Sequence, residues 1–268
     1  MTADAGTEAD LERRFGGLRR LYGDDGYRRL RAARVAVVGL GGVGSWTVEA
    51  LARCGVAELV LIDLDHVAES NINRQVQALQ WTLGQAKAQA LRERIGGIHP
   101  GCRVHVVEDF VQADNWPGLL TVAVDLLVDA CDQLRAKAAL AAWSQRERVP
   151  LVCVGAAGGK RMAQRVEVED MADVTHDPLL ASLRQRLRQQ GQAPRKGRIG
   201  VRCVFSRESV ATPLDHCDAG NVGDGTLNCH GYGSSVVVTA TFGMVAAGEA
   251  ISQLVQPQAT ATAVETQL

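Results

Sequence analysis

In the first half of the chain, the spacing of several charged side chains suits phosphate chemistry. The cations are Arg74, in SNINRQ, and Lys87, in GQAKAQ; the carboxylates are Asp63 and Asp65, in LIDLD, and Asp132, in DACDQL. Ahead of them lies GLGGVG, in which Gly39, Gly41 and Gly44 keep the spacing of a nucleotide loop and Gly42 stands between. A loop of this kind offers backbone N–H groups and a helix N-terminus to anionic oxygens. An acid closing the next strand, here Asp63, is placed to meet ribose hydroxyls. To this point a nicotinamide-linked dehydrogenase and an ATP enzyme fit equally well.

The cations shift the balance. A triphosphate releasing pyrophosphate builds charge on its leaving oxygens and needs more neutralisation than a glycine loop gives. Arg74 and Lys87 supply it, with Asn71 and Asn73 beside them. Asp132 is placed to hold a magnesium ion that bridges those oxygens. Singly, each has a plainer reading: Arg74 and Lys87 as solvated charges, Asp132 as the N-cap of the following helix. Spacing alone does not separate cap from metal ligand at Asp132. As a set, the residues favour ATP over NAD.

Such residues meet only if the fold carries them to one edge. RVAVVG (34–39), ELVLID (58–63), CRVHVVED (102–109), DLLVDA (125–130) and a run from 151 into AAGGK are short apolar segments that suit buried parallel strands. Helical patterns stand between them: 43–55 stopping at Gly55, 84–96 stopping at Gly96 and Gly97, and 133–148. A further helix over 10–32 carries an arginine-rich face. The alternation predicts a Rossmann-like, doubly wound α/β fold whose mostly parallel sheet presents its strand C-termini along one ligand edge. Beyond residue 160, RVEVED alternates with period two as an antiparallel strand, DPLLASLRQRLRQQ is helical and IGVRCVFSRE is strand-like. The expected organisation is a helical arm (1–33), an ATP-binding core (34–160), a C-terminal antiparallel extension of the same domain (161–256) with a mobile loop (211–230), and a tail (257–268).

Composition removes some classes. A formal net charge of −1 gives no global field for nucleic acid, so any such binding rests on local patches. Two exist: eight arginines between Arg13 and Arg34, and seven arginines with Lys196 and no acid between Pro178 and Arg207. Seven cysteines form no C-x-x-C pair, which argues against a tetrathiolate zinc site and suits a reducing cytoplasm. The polar N-terminus has no apolar core of a signal peptide. Residues 231–248 are free of charge, and their glycines, serines and threonines favour a buried helix over a membrane span, with peripheral membrane contact left open.

GLGGVG, then Asp63 and Asp65, Asn71, Asn73–Arg74–Gln75, Lys87 and the D-x-x-D of Asp129 and Asp132 resemble, in order, the adenylating fold of ubiquitin-activating-like enzymes. A narrower likeness covers nearly the whole chain. RFGGLRRLYG, NINRQVQAL, GQAKAQ, AAGGK, DPLLASLRQRLR, GVRCVFS and VTATFG are similar to the tRNA threonylcarbamoyladenosine dehydratases. The resemblance implies that Mg·ATP adenylates the threonyl carboxylate and that a carbamoyl nitrogen then displaces AMP, with net loss of water. It implies nucleotide contacts from Gly39, Gly41, Gly42, Gly44, Asp63, Asp65, Asn71, Asn73, Arg74, Lys87 and Asp132, with Arg74, Lys87 and Asp132 in the chemistry. It also implies ATP and magnesium without structural zinc, a homodimer, and a tRNA partner; some relatives work beside cysteine desulfurases, so a sulfur-transfer partner is a further class. Arg184, Arg186, Arg188, Arg195, Lys196, Arg198 and Arg202 are the candidate RNA contacts, and Cys229, in LNCHGYG, is the candidate for a thioester cysteine. Sulfur-carrier activators place an arginine that reaches into the partner's site where this chain has Gly17; Arg14 and Arg20 are the nearby substitutes. Activation of a ubiquitin-like sulfur carrier, an NAD enzyme and a non-catalytic binding module are the competing readings.

Overall fold

The central strands of the sheet are short apolar runs whose alternate residues bury on opposite faces. The computed structural model describes residues 9–211 and 232–256. Its elements are α1 (Leu11–Phe15), α2 (Gly17–Ala32), β1 (Arg34–Val38), α3 (Gly44–Arg53), β2 (Glu58–Ile62), α4 (Lys87–Ile98) and β3 (Arg103–Val107). There follow β4 (Leu126–Asp129), α5 (Leu134–Glu147), β5 (Leu151–Val154), β6 (Val166–Asp170), α6 (Pro178–Gln189), β7 (Arg202–Ser206) and α7 (Val236–Val255).

The seven strands lie in the order β3-β2-β1-β4-β5-β7-β6. Val35 and Val37 of β1 and Leu59 and Leu61 of β2 pack with Leu30, Val48, Leu91 and Phe242, from α2, α3, α4 and α7. Ala36, Val38, Val60 and Ile62 turn the other way, onto Leu140 of α5 and Leu180 and Leu183 of α6. Period-two burial on both faces requires a helical layer on each side, so the sheet is doubly wound. The strand order reverses between β1 and β4, and that switch point opens the crevice where such sheets take ligands.

The structure corrects some expected boundaries. The helix expected over 10–32 is broken: α1 ends at Phe15, and Gly23 inside α2 has a φ of 69°. The helix expected to stop at Gly96 and Gly97 starts at Lys87 and runs through both to Ile98, because its buried face of Ala88, Leu91 and Ile95 continues past them. The C-terminal extension contains the expected antiparallel strand, RVEVED, as β6. β7 pairs in parallel with β5, and only β6 runs antiparallel, as the outer strand on β7. The segment after residue 160 therefore extends the same sheet.

α7 is the one helix among the described residues long and apolar enough, by length and composition, to cross a membrane. Here it is a packing element. Val238, Phe242, Ala246 and Ala250 are buried against the sheet and its helices. A Cβ on Gly243 would stand 2.6 Å from both Trp46 Cβ and Val43 O, so the glycine lets α7 lie directly on the start of α3. That contact backs the glycine loop. Truncating Phe242 to alanine would cost about 3–5 kcal/mol.

Candidate functional site

β1 ends at Val38, and the chain turns through Gly39 with a φ of +83°. A Cβ there would lie 2.7 Å from Cys131 N, so only glycine fits between this turn and the loop after β4. On Gly44 it would meet Gly39 O at 1.8 Å, which makes Gly44 the contact that seats α3 on β1. Gly41 and Gly42 face a cavity of about 560 Å³ at the C-terminal edge of the strands. Among the described residues, the N–H groups of Gly41, Gly42 and Val43 have no protein acceptor at the mouth of α3. Unsatisfied N–H groups and a helix N-terminus together make an anion cradle.

The cations line the same cavity, with Arg74 packed beside Gly42. Lys87, the first residue of α4, is buried, and its Nζ lies 2.6 Å from Asp65 Oδ2 and 4.0 Å from Asp63 Oδ1. Its backbone N donates to Asp65 O at 3.0 Å, which fixes the helix start beside the acid pair. Asp63 accepts from Leu40 N at 2.6 Å and from Asp65 N at 2.8 Å, tying the glycine loop to the end of β2. Burial pushes the Asp63 carboxyl above its ordinary range, with Lys87 and the two backbone donors pulling the other way. Arg74 Nη1 donates to Ser70 O at 2.6 Å and to Asn73 Oδ1 at 2.9 Å. The Arg74 carbonyl accepts from Trp46 Nε1 at 3.0 Å, so this cation hangs from a backbone held by α3. Asn71 accepts from Ala68 N at 3.0 Å through Oδ1 and lines the cavity.

Asp132 lines the same cavity and is exposed. The cap of α5 is Gln133, with no side-chain cap bond, so Asp132 does not serve as the helix cap. Among the described residues no group of three or more His, Cys, Asp or Glu is arranged for a metal ion. One exposed carboxylate facing a phosphate cradle fits magnesium, a hard cation that keeps its waters and is bound mainly through the nucleotide. The N–H cradle and the cations in the same cavity fit the polyphosphate itself.

A family model described as "ThiF family" matches residues 14–267. The chain belongs to the ThiF family. It is 43% identical over 249 residues to the tRNA threonylcarbamoyladenosine dehydratase of Escherichia coli (strain K12), covering 90% of this chain and 93% of that one. Identity to the Haemophilus influenzae protein of the same name is 38% over 253 residues, 92% of this chain and 95% of that one. Among solved structures, the E. coli dehydratase in complex with ATP matches with a TM-score of 0.82 at 42% identity, covering 92% of this chain and 96% of that one.

This ThiF-family chain brings Gly39, Gly41, Gly42, Asp63, Asp65, Asn71, Arg74, Lys87 and Asp132 around one cavity. It leaves out two residues expected there. Gly44 lies beneath the loop, and Asn73 turns outward, donating from Nδ2 to Ser234 O at 3.0 Å just before α7. Asp129, the other half of the D-x-x-D pair, is fully buried and 3.1 Å from Lys137 Nζ. Lys137 was not legible as the partner of Asp129: on its own it is a lysine in an alanine-rich helix. Asp177 was missed too, although Asp before Pro at a helix start is a readable cap. Its Oδ1 caps α6 through Leu180 N at 2.9 Å, and its Oδ2 accepts from Ala156 N at 2.8 Å in the cavity wall.

The candidate RNA contacts separate. Arg184, Arg188 and Arg195 border one groove on α6. Lys196 and Arg198 are exposed on the following loop, with Arg198 Nε 3.9 Å from Asp170 Oδ2, and Arg186 is half-buried on α6. Arg202 sits on β7 and pairs with Glu249 of α7 at 3.0 Å, away from that groove. Arg14 Nη1 donates to Ile98 O at 2.6 Å at the N-terminal edge of the sheet, while Arg20 is exposed on α2. Cys229 lies outside the described residues, as do the tail from 257 and nearly all of the loop expected over 211–230.

Proposed function

We propose that this protein is an ATP-dependent dehydratase that closes a ring on threonylcarbamoyladenosine in tRNA through carboxylate adenylation. The observation that carries this reading is one cavity lined by a glycine cradle together with Lys87 and Arg74, in a chain that matches named dehydratases over nearly its whole length. The cradle holds the polyphosphate, and Lys87 and Arg74 lie where charge grows as pyrophosphate departs. Lys87 starts on Asp65, an exposed carboxylate that a phosphate can replace with little loss. Asp63 bridges Leu40 and Asp65 from the position that meets a ribose. Asp132 would hold magnesium, which offsets charge on the bridging oxygens when bound. The carbamoyl nitrogen that displaces AMP belongs to the substrate, so holding the two ends together supplies much of the acceleration.

Further parts of the reading concern assembly and place. A homodimer would bring an arginine from a second copy to the site, and Arg20 is the better placed candidate because Arg14 is already used on Ile98. The five described cysteines are free, which supports a reducing cytoplasm. Cys229 is assigned no obligatory step, and a cysteine desulfurase stays a candidate partner.

The test incubates the protein with Mg·ATP and tRNA carrying threonylcarbamoyladenosine, then weighs the digested nucleosides. The expected result is loss of the mass of one water with AMP and pyrophosphate released. An unchanged nucleoside, with pyrophosphate exchange that needs a small diglycine-ended protein, would assign the chain to carrier activation instead.

A further inference from the structure

α6 runs from the nucleotide cavity to a second concave surface. Leu179 in its first turn lines the cavity, and Asp177 at its N-cap bonds Ala156 of the cavity wall. Two turns further on, Arg184, Gln185, Arg188 and Gln189 border a shallow groove that Arg195 closes from the following loop. At a helical rise of 1.5 Å per residue, Leu179 and Arg188 lie about 14 Å apart.

The groove differs from an ordinary solvated face in how its cations are held. Arg184 Nη1 donates to Met171 O at 2.9 Å and to Val174 O at 2.8 Å. Arg188 Nε donates to Pro194 O at 3.2 Å. Each guanidinium is therefore fixed by one edge on backbone carbonyls and presents its remaining N–H groups from an ordered position. An ordered fork loses less entropy on meeting an oxyanion than a free side chain does. Gln185 and Gln189 add neutral donors, Ala181 leaves the floor open, and the sequence places no acid between Pro178 and Arg207.

We propose that this groove binds the phosphodiester backbone of the RNA substrate beside the reacting nucleotide. The inference rests on the dehydratase reading and names the surface through which that substrate docks. Donors of this type grip phosphates without reading bases, so the groove positions the RNA, and the cavity recognises the modified nucleoside. Because Asp177 joins α6 to Ala156, the two surfaces keep a fixed separation.

The test compares wild type with an Arg188→Gln/Arg195→Gln double variant on the modified tRNA over a series of salt concentrations. Arg184 is left intact because it packs under its carbonyls. The double variant should raise KM for tRNA about tenfold or more and flatten the dependence of log(kcat/KM) on log salt by about 1–2. KM for ATP and the melting temperature should stay unchanged, a combination that a structural defect would not give. Unmodified tRNA should compete with substrate in the wild type and compete more weakly in the variant. An active wild type whose double variant keeps both the tRNA KM and the salt slope overturns the groove and leaves the dehydratase reading standing. Competition by an acidic peptide but not by unmodified tRNA also overturns it. A wild type that never changes the nucleoside mass overturns both.

Discussion

Lys87 and Lys137 each answer an aspartate near the ends of the central strands, yet the two pairs are built for opposite ends. Lys137 and Asp129 meet at 3.1 Å with neither side chain exposed. Lys137 also donates to Val154 O at 2.7 Å, and Asp129 accepts from Cys131 N at 3.2 Å, so the pair pegs the ends of β4 and β5 together. Burial, the largest single influence, would lower the Lys137 pKa, but Asp129 together with Cys153 and Cys131 outweighs it and the net shift is upward. Lys87 is as short a reach from Asp65, at 2.6 Å, but Asp65 keeps 53% of its side-chain surface in water. A pair with one wet partner is weak, whereas a dry pair is costly to break. The fold thus keeps one lysine fixed and leaves the other exchangeable, and only an exchangeable cation can pass to a ligand.

The largest effect expected on this contrast comes from Lys137→Met. Removing one member of a fully buried pair should cost about 3–5 kcal/mol in urea unfolding. Adding Asp129→Leu should recover part of that loss, because the orphaned carboxylate goes with it. If the single variant were as stable as wild type, the peg would be no peg. Lys87→Ala should behave in reverse: a smaller loss of stability than Lys137→Met, because its nearest partner Asp65 is exposed and the buried Asp63 is 4.0 Å away, and AMP release slower by roughly 10²–10³. Equal losses of stability and rate at Lys87 would erase the distinction between the two lysines.

The smallest effect lies at the other edge of the sheet. His99 is buried against Phe15, its Nε2 accepts from Arg31 at 2.8 Å, and its pKa is pushed down from 6.5 to about 4, by burial first and then by Arg31 and Arg14. Its folded pKa lies below its unfolded one, so the unfolded chain binds the extra proton in that window. Stability should therefore fall as pH drops from 6.5 towards about 4, and His99→Gln should flatten that part of the slope. Adenylation at neutral pH should not change, since this edge lies opposite the cavity. A neutral-pH rate defect in His99→Gln would mean the edges are coupled.

How much of this the sequence disclosed depends on how local the signal was. Gly39, Gly41 and Gly42 and Asp63 were readable because one βαβ unit places them, and Arg74 and Lys87 because they follow it in the loop and helix start just past β2. The doubly wound sheet was readable for the same reason, from apolar runs separated by helical periods. Lys137 was not, because its partner Asp129 and its acceptor Val154 come from two different strands. Asn73 was assigned to the nucleotide by its neighbours, but Ser234 O, distant in the chain, takes its amide. α4 ran past its glycines because buried Ile95 outweighed the weak helix preference of Gly96 and Gly97. Nothing in the period of RVEVED says that its neighbour β7 runs parallel to β5.

The central claim, that Lys87 and Arg74 exist to take the polyphosphate, is tested most directly by a crystal structure of the protein with Mg·ATP. Lys87 Nζ should have left Asp65 for phosphate oxygens, with Arg74 beside it and the tail of the nucleotide on the N–H groups of Gly41 and Gly42. A bound nucleotide with Lys87 still on Asp65 and Arg74 still on Ser70 would contradict the account.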